Sequence, residues 1–82
     1  MSAHIRLYTR KDCCLCDEMK TAIREAAEGR SLGVEEIDVD SAPELKEKFG
    51  SEVPVLFING RKAFKHRVTA KELKKRLKRE GF

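Results

Sequence analysis

This sequence predicts a single α/β domain, a four-stranded mixed sheet flanked by helices, on three observations. Its apolar residues switch between a period of two and a period of three to four, in the order β-α-β-α-β-β-α. The opening strand–helix–strand run requires parallel pairing through a crossover connection. An Asn-Gly pair between the last two strands requires an antiparallel hairpin. With 82 residues the chain has length for one domain and not two, so residues 1–82 read as one unit.

The first strand runs over His4–Tyr8, where Ile5 and Leu7 alternate with His4, Arg6 and Tyr8, and polar Thr9–Asp12 ends it. From Cys13 the period becomes helical. Leu15, Met19, Ala22, Ile23, Ala26 and Ala27 share one face, and Gly29 and Gly33 bracket the exit. Val34–Val39 is the second strand, with Val34, Ile37 and Val39 as its apolar positions. Ser41-Ala-Pro-Glu44 has the form of a capping box with Pro43 in the first turn; Leu45 and Phe49 mark one face of a short helix that Gly50 stops. Val55–Ile58 is a dense apolar strand, Asn59-Gly60 a type I′ turn, and Arg61–Lys65 the returning strand. Thr69-Ala-Lys-Glu72 is a second capping box, and Val68, Leu73 and Leu77 give the last helix its buried stripe.

Composition narrows the function classes. Hydrophobic residues make up 40% and charged residues 39%, which fits a small globule with a heavily solvated surface rather than a disordered tail. No run of about 18 apolar residues is present, so no membrane span is expected. The N-terminal MSAHIRLYTR lacks the apolar core of a secretory signal, and a cytoplasmic location is expected. The net charge of +4 is unevenly spread. Residues 1–60 carry 8 Lys/Arg against 12 Asp/Glu, and residues 61–82 carry 10 against 2. The basic C-terminal segment reads either as a solvated helix face or as a docking patch for an acidic partner. Its aromatic residues are Phe64 and Phe82 alone, too few for the interleaving that nucleic-acid binding calls for.

The three cysteines, Cys13, Cys14 and Cys16, lie within four residues. Cysteines so crowded cannot close the long loops from which structural disulfides gain stability. In a reducing compartment they point to redox chemistry or metal binding. Their position, where the first strand hands over to the first helix, exposes a thiol to unpaired backbone N–H groups and the positive end of the helix dipole. A free thiol titrates near ~8.5, and such sites bring it to roughly 3.5–7.5. The thiolate is the nucleophile of disulfide exchange. Cys13 is therefore the expected attacking thiol, and Cys16, nearly a helical turn further in, the resolving thiol that reaches back. Arg10 and Lys11 add positive potential; Asp12 and Asp17 oppose it. Cys14 is a candidate auxiliary thiol, a filler at the helix start or a metal ligand. A closed zinc site needs four ligands, and beyond the cysteines the chain offers His4 and His66, without ligand-pair spacing, so no metal is expected.

Pro54 stands at the mouth of the Val55–Ile58 strand, where a residue that cannot donate to a ladder is tolerated. Taken with the cysteines, it carries a resemblance. LYTRKDCCLC at residues 7–16 resembles the active-site segment of glutaredoxins, and EVPVLFINGRKAF at residues 52–64 resembles their cis-proline loop, third strand and hairpin. The element order is similar to the compact thioredoxin-like fold that glutaredoxins use. The resemblance implies that Cys13 is the nucleophile, Cys16 the resolving cysteine and Pro54 the cis-proline against the pair. It implies that the Val53 backbone pairs with an extended substrate, and that Tyr8 and Arg10 flank the site, Arg10 meeting a glutathione carboxylate. Two stretches depart from the family pattern. Cys14 and Leu15 replace the common proline and tyrosine, and residues 64–69 (FKHRVT) replace a Gly-Gly turn followed by an acidic residue.

The expected function is thus that of a monomeric thiol–disulfide oxidoreductase with no bound cofactor. Its substrates would be protein disulfides or glutathione mixed disulfides. Glutathione, as co-substrate, or a thioredoxin-reductase-type donor would regenerate it. Two alternatives use the same residues otherwise: a metal or iron–sulfur carrier on the cysteines, or a non-catalytic adaptor docking through the basic C-terminal segment.

Overall fold

A computed structural model describes residues 4–28 and 33–81. Gly29 and Phe82 lie outside the described residues. The chain runs β1 (His4–Thr9), α1 (Cys14–Ala27), β2 (Gly33–Asp38), a 3-10 turn (Val39–Ser41), α2 (Pro43–Phe49), β3 (Val55–Ile58), β4 (Arg61–Lys65) and α3 (Ala70–Arg79). The sheet has the order β2-β1-β3-β4, with β1 parallel to β2 and the two other pairings antiparallel.

Strand alternation sorts the core into two layers. Ile5 and Leu7 stand opposite Ile58 and Leu56, and these four pack with Met19, Ile23 and Ala26 of α1 and Leu73 and Leu77 of α3. On the other face Tyr8, Val55, Val39 and Phe49 pack with Ile37, Leu45, Val53 and Phe57 beneath α2. Burying such side chains contributes about 1.5–3 kcal/mol each, which is how a sheet this small holds three helices.

The hairpin follows its turn chemistry, with Asn59 at φ 51° and Gly60 at φ 83°. A bulge between Leu56 and Phe57 shifts the register of β4, a feature with no mark in the sequence. Thr69 caps the last helix as expected: its Oγ1 accepts the Glu72 N–H at 3.1 Å, while the Glu72 carboxylate takes the Thr69 hydroxyl at 3.0 Å in place of the backbone N–H of a full capping box.

Several boundaries and contacts differ from expectation. Thr9 belongs to β1, because its register with Asp38 continues the parallel ladder. The first helix starts at Cys14, with Cys13 as its N-cap, and leaves through Glu28 at φ 51°. The second strand is shifted to Gly33–Asp38, and Val39 turns into the 3-10 segment to reach the core. Val34, the first apolar position of this strand, is 39% exposed because β2 is an edge strand that α1 does not fully cover. Leu15 is half-buried rather than core. Ser41 caps no helix; its hydroxyl donates to the Asp38 carbonyl at 2.6 Å, and α2 begins at Pro43 behind Ala42 without a side-chain cap.

Candidate active site

The cysteine motif is presented by a sharp change of direction after β1. Asp12 adopts a left-handed φ of 56°, a conformation that aspartate tolerates better than most residues. Cys13 follows in extended geometry, φ −106° and ψ 107°. Its Sγ accepts the Cys16 backbone N–H at 3.2 Å, in the place where a serine or aspartate oxygen caps most helices. Negative charge on this sulfur therefore meets both a donor and the positive helix end. Cys13 is partly accessible, Cys14 is exposed, and all three cysteines are free thiols.

Cys16 lies one turn in and is 1% exposed. Burial first, and then its contact with the Cys13 side chain, push its thiol up to about 11. The Arg10 backbone N–H and the Thr9 side chain pull in the opposite direction. The pair is thus divided into a partly accessible sulfur that accepts a backbone N–H and a buried one whose thiol is pushed up by burial.

Pro54 reaches the same end of the sheet through strand register. Tyr8 pairs with Val55, so the residue before Val55 stands level with the end of β1. The Val53–Pro54 peptide is cis, Pro54 is buried, and its carbonyl accepts the His66 N–H at 2.8 Å. His66 makes its turn at φ 67° without glycine. A groove beside it is lined by Glu18, Met19 and Thr21 of α1 with Arg67, Val68, Thr69 and Glu72, so carboxylates reach this rim from the helices.

Three residues expected at the rim are engaged elsewhere. Tyr8 is a core residue, stacked on Phe49 with centroids 4.4 Å apart and edge-on to Phe57 at 5.4 Å; its hydroxyl lies beside the Arg6 guanidinium, back along β1. Arg10 is bound to the Asp40 carboxylate through Nε and Nη2, at 3.0 and 3.1 Å, and to the Gly50 carbonyl through Nη1 at 3.2 Å. The hydrogen bond and charge of Asp40 raise the Arg10 pKa further. The Val53 N–H is already donated to the Phe49 carbonyl at 3.0 Å. Thr9, Asp40 and Gly50 escape sequence reasoning, since Asp40 and Gly50 lie 30 and 40 residues from Arg10 and no local pattern links them. Among the described residues no three His, Cys, Asp or Glu side chains are grouped to hold a metal ion, and no helix is long and apolar enough to cross a membrane.

A mixed sheet with three helices, a cysteine pair at the N-terminus of the first helix and a cis-proline at the adjoining strand mouth define a protein of the thioredoxin-like α/β class. The profile of the family described as Glutaredoxin-like domain (DUF836) matches residues 4–78, and the chain belongs to that family. It is 36% identical over 78 residues to the "Glutaredoxin-like protein YDR286C homolog" of Dictyostelium discoideum, covering 88% of this chain and 72% of the relative. The crystal structure of protein XcR50 from X. campestris superposes with a TM-score of 0.79 at 30% identity, over 92% of this chain and 96% of that one. Desulfothioredoxin from Desulfovibrio vulgaris Hildenborough, in its reduced form, superposes with a TM-score of 0.64 at 25% identity, over 92% and 78%. Fold and family together support a redox role.

Proposed function

We propose that this protein is a thiol–disulfide oxidoreductase in which Cys13 attacks and Cys16 resolves. The observation that carries this reading is the division of the pair: Cys13 Sγ caps the helix and receives the Cys16 N–H, while the Cys16 thiol is buried directly beneath. The Cys13 thiolate attacks one sulfur of a substrate disulfide. A mixed disulfide forms, and the other substrate sulfur leaves with the electron pair and takes a proton. Cys16 then loses its proton and attacks Cys13 Sγ. The Cys13–substrate bond breaks, and the second substrate sulfur leaves as a thiol. The substrate has gained two electrons and two protons, and the protein holds a Cys13–Cys16 disulfide. Two equivalents of glutathione, or a thioredoxin-reductase-type donor, return it to the dithiol, and no bound cofactor takes part.

The substrates are protein disulfides and glutathione mixed disulfides. Cys14 is the auxiliary thiol of the site, exposed beside the nucleophile. The test is trapping. Incubated with a disulfide-bonded substrate, Cys16→Ser should accumulate a mixed disulfide through Cys13, and Cys13→Ser should accumulate none. Equal turnover in Cys13→Ser and the unaltered chain would remove the assignment.

A further inference from the structure

Arg10 lies between β1 and the cysteine motif, and its hydrogen-bonding groups are turned onto the chain itself. Its guanidinium fork holds Asp40, in the 3-10 turn, and the carbonyl of Gly50, which closes α2 shortly before Val53–Pro54. Three residues on, the Cys13 sulfur accepts the Cys16 backbone N–H at 3.2 Å, so the turn that Arg10 opens sets Cys13 against Cys16. One planar group therefore ties the loop that carries the cysteines to the segment that leads into the proline. A guanidinium engages both carboxylate oxygens and a carbonyl in one planar fork, a fixed geometry that the rotating point charge of an ammonium lacks. Both side chains of the pair are 37% exposed, so solvent screens the attraction and its contribution to global stability is small. What the clamp fixes is direction: it holds the short stretch between Thr9 and Cys13, which is left-handed at Asp12.

We propose that Arg10 is a positioning residue for the closing half of the exchange, gripping Asp40 and Gly50 so that the turn it opens keeps Cys13 against the Cys16 N–H and in line for attack by Cys16. The proposal rests on the redox reading above. In that closing half Cys16, having lost its proton, forms the bond to Cys13 while the Cys13–substrate bond breaks. A small misdirection of the attacking sulfur costs rate there, whereas attack by Cys13 on an incoming disulfide depends less on where Cys16 points.

The test separates the two halves. Reduced protein carrying Cys14→Ser is mixed in stopped flow with dithiodipyridine, an uncharged disulfide. The first pyridinethione released reports attack by Cys13, and the second reports closure by Cys16. Arg10→Gln and Asp40→Asn should each slow the second release about tenfold more than the first. The double variant should be no slower than either single one, and Arg10→Lys should not restore the rate. The proposal is overturned if Asp40→Asn is silent while Arg10→Gln raises KM for oxidised glutathione alone, which makes Arg10 a carboxylate ligand. It is also overturned if both releases slow equally, which makes the clamp merely structural. A parent protein that gives no second release would instead sink the redox reading itself, before any Arg10 variant is compared.

Discussion

The thiol of Cys16 gives a pH dependence that can be worked from the structure. It is 1% exposed, and burial, followed by its Cys13 neighbour, pushes it up to about 11. At pH 7 a group of that pKa is ionised in roughly one molecule in ten thousand, and each unit of pH raises the share about tenfold. Because the thiolate is the attacking form, closure should accelerate with pH, by up to about tenfold per unit, until the inflection is reached. Once Cys13 is bound in a mixed disulfide its push on Cys16 weakens, but burial remains. The inflection should therefore lie above the ~8.5 of a free thiol. Second-release rates with dithiodipyridine, collected against pH, measure it directly. A closure rate that levels off at or below about 8.5 refutes the argument that burial governs this sulfur. The same thiol links stability to pH. Its pKa is raised in the folded state, so the folded chain keeps this proton longer than the unfolded one. The contribution is complete below the unfolded value of ~8.5 and is lost as pH rises through about 11. Denaturant midpoints across that window should fall more steeply for the unaltered protein than for Cys16→Ala.

Three stability predictions accompany it. Phe49→Ala removes the ring that stacks on Tyr8 and should cost about 3–5 kcal/mol, a large part of the roughly 4–12 kcal/mol expected of a chain this long; a urea-measured loss below about 1 kcal/mol contradicts the packing described. Thr69→Ala deletes the cap of α3 and should cost about 1 kcal/mol in the same measurement. Gly50→Ala should destabilise by about 1–3 kcal/mol although its φ of −55° suits any residue, because an added Cβ would collide with the Lys46 carbonyl oxygen; a stabilised alanine variant refutes this.

Much of the site was legible because its signals are local. A thiol pair at a strand-to-helix boundary places one sulfur at the cap and the other a turn inside, since helix geometry alone sets that offset. Asn59-Gly60 and Thr69–Glu72 each encode their turn or cap within four residues, and turn and cap both form. Ser41–Glu44 shows the limit of such signals. The same four-residue pattern failed because the Asp38 carbonyl took the serine hydroxyl and the chain was drawn into a 3-10 turn that buries Val39. Propensity is a weak prior where a core position competes for the same backbone.

Sequence by itself determined the element order, the hairpin, the two apolar periodicities and the placing of Cys13 and Cys16, because each depends on neighbours a few residues apart. Tertiary structure alone decided the rest. It sent Tyr8 into the α2-side core rather than to the rim, because strand parity puts it on the face with Phe49 and Phe57. It closed the Arg10 fork on Asp40 and Gly50 and committed the Val53 N–H to Phe49. It also enclosed Cys16 and so raised its pKa. Each of these outcomes joins groups that the chain brings together through packing, and the partner of a buried or charged side chain is set by which elements share a face, not by what stands beside it in sequence.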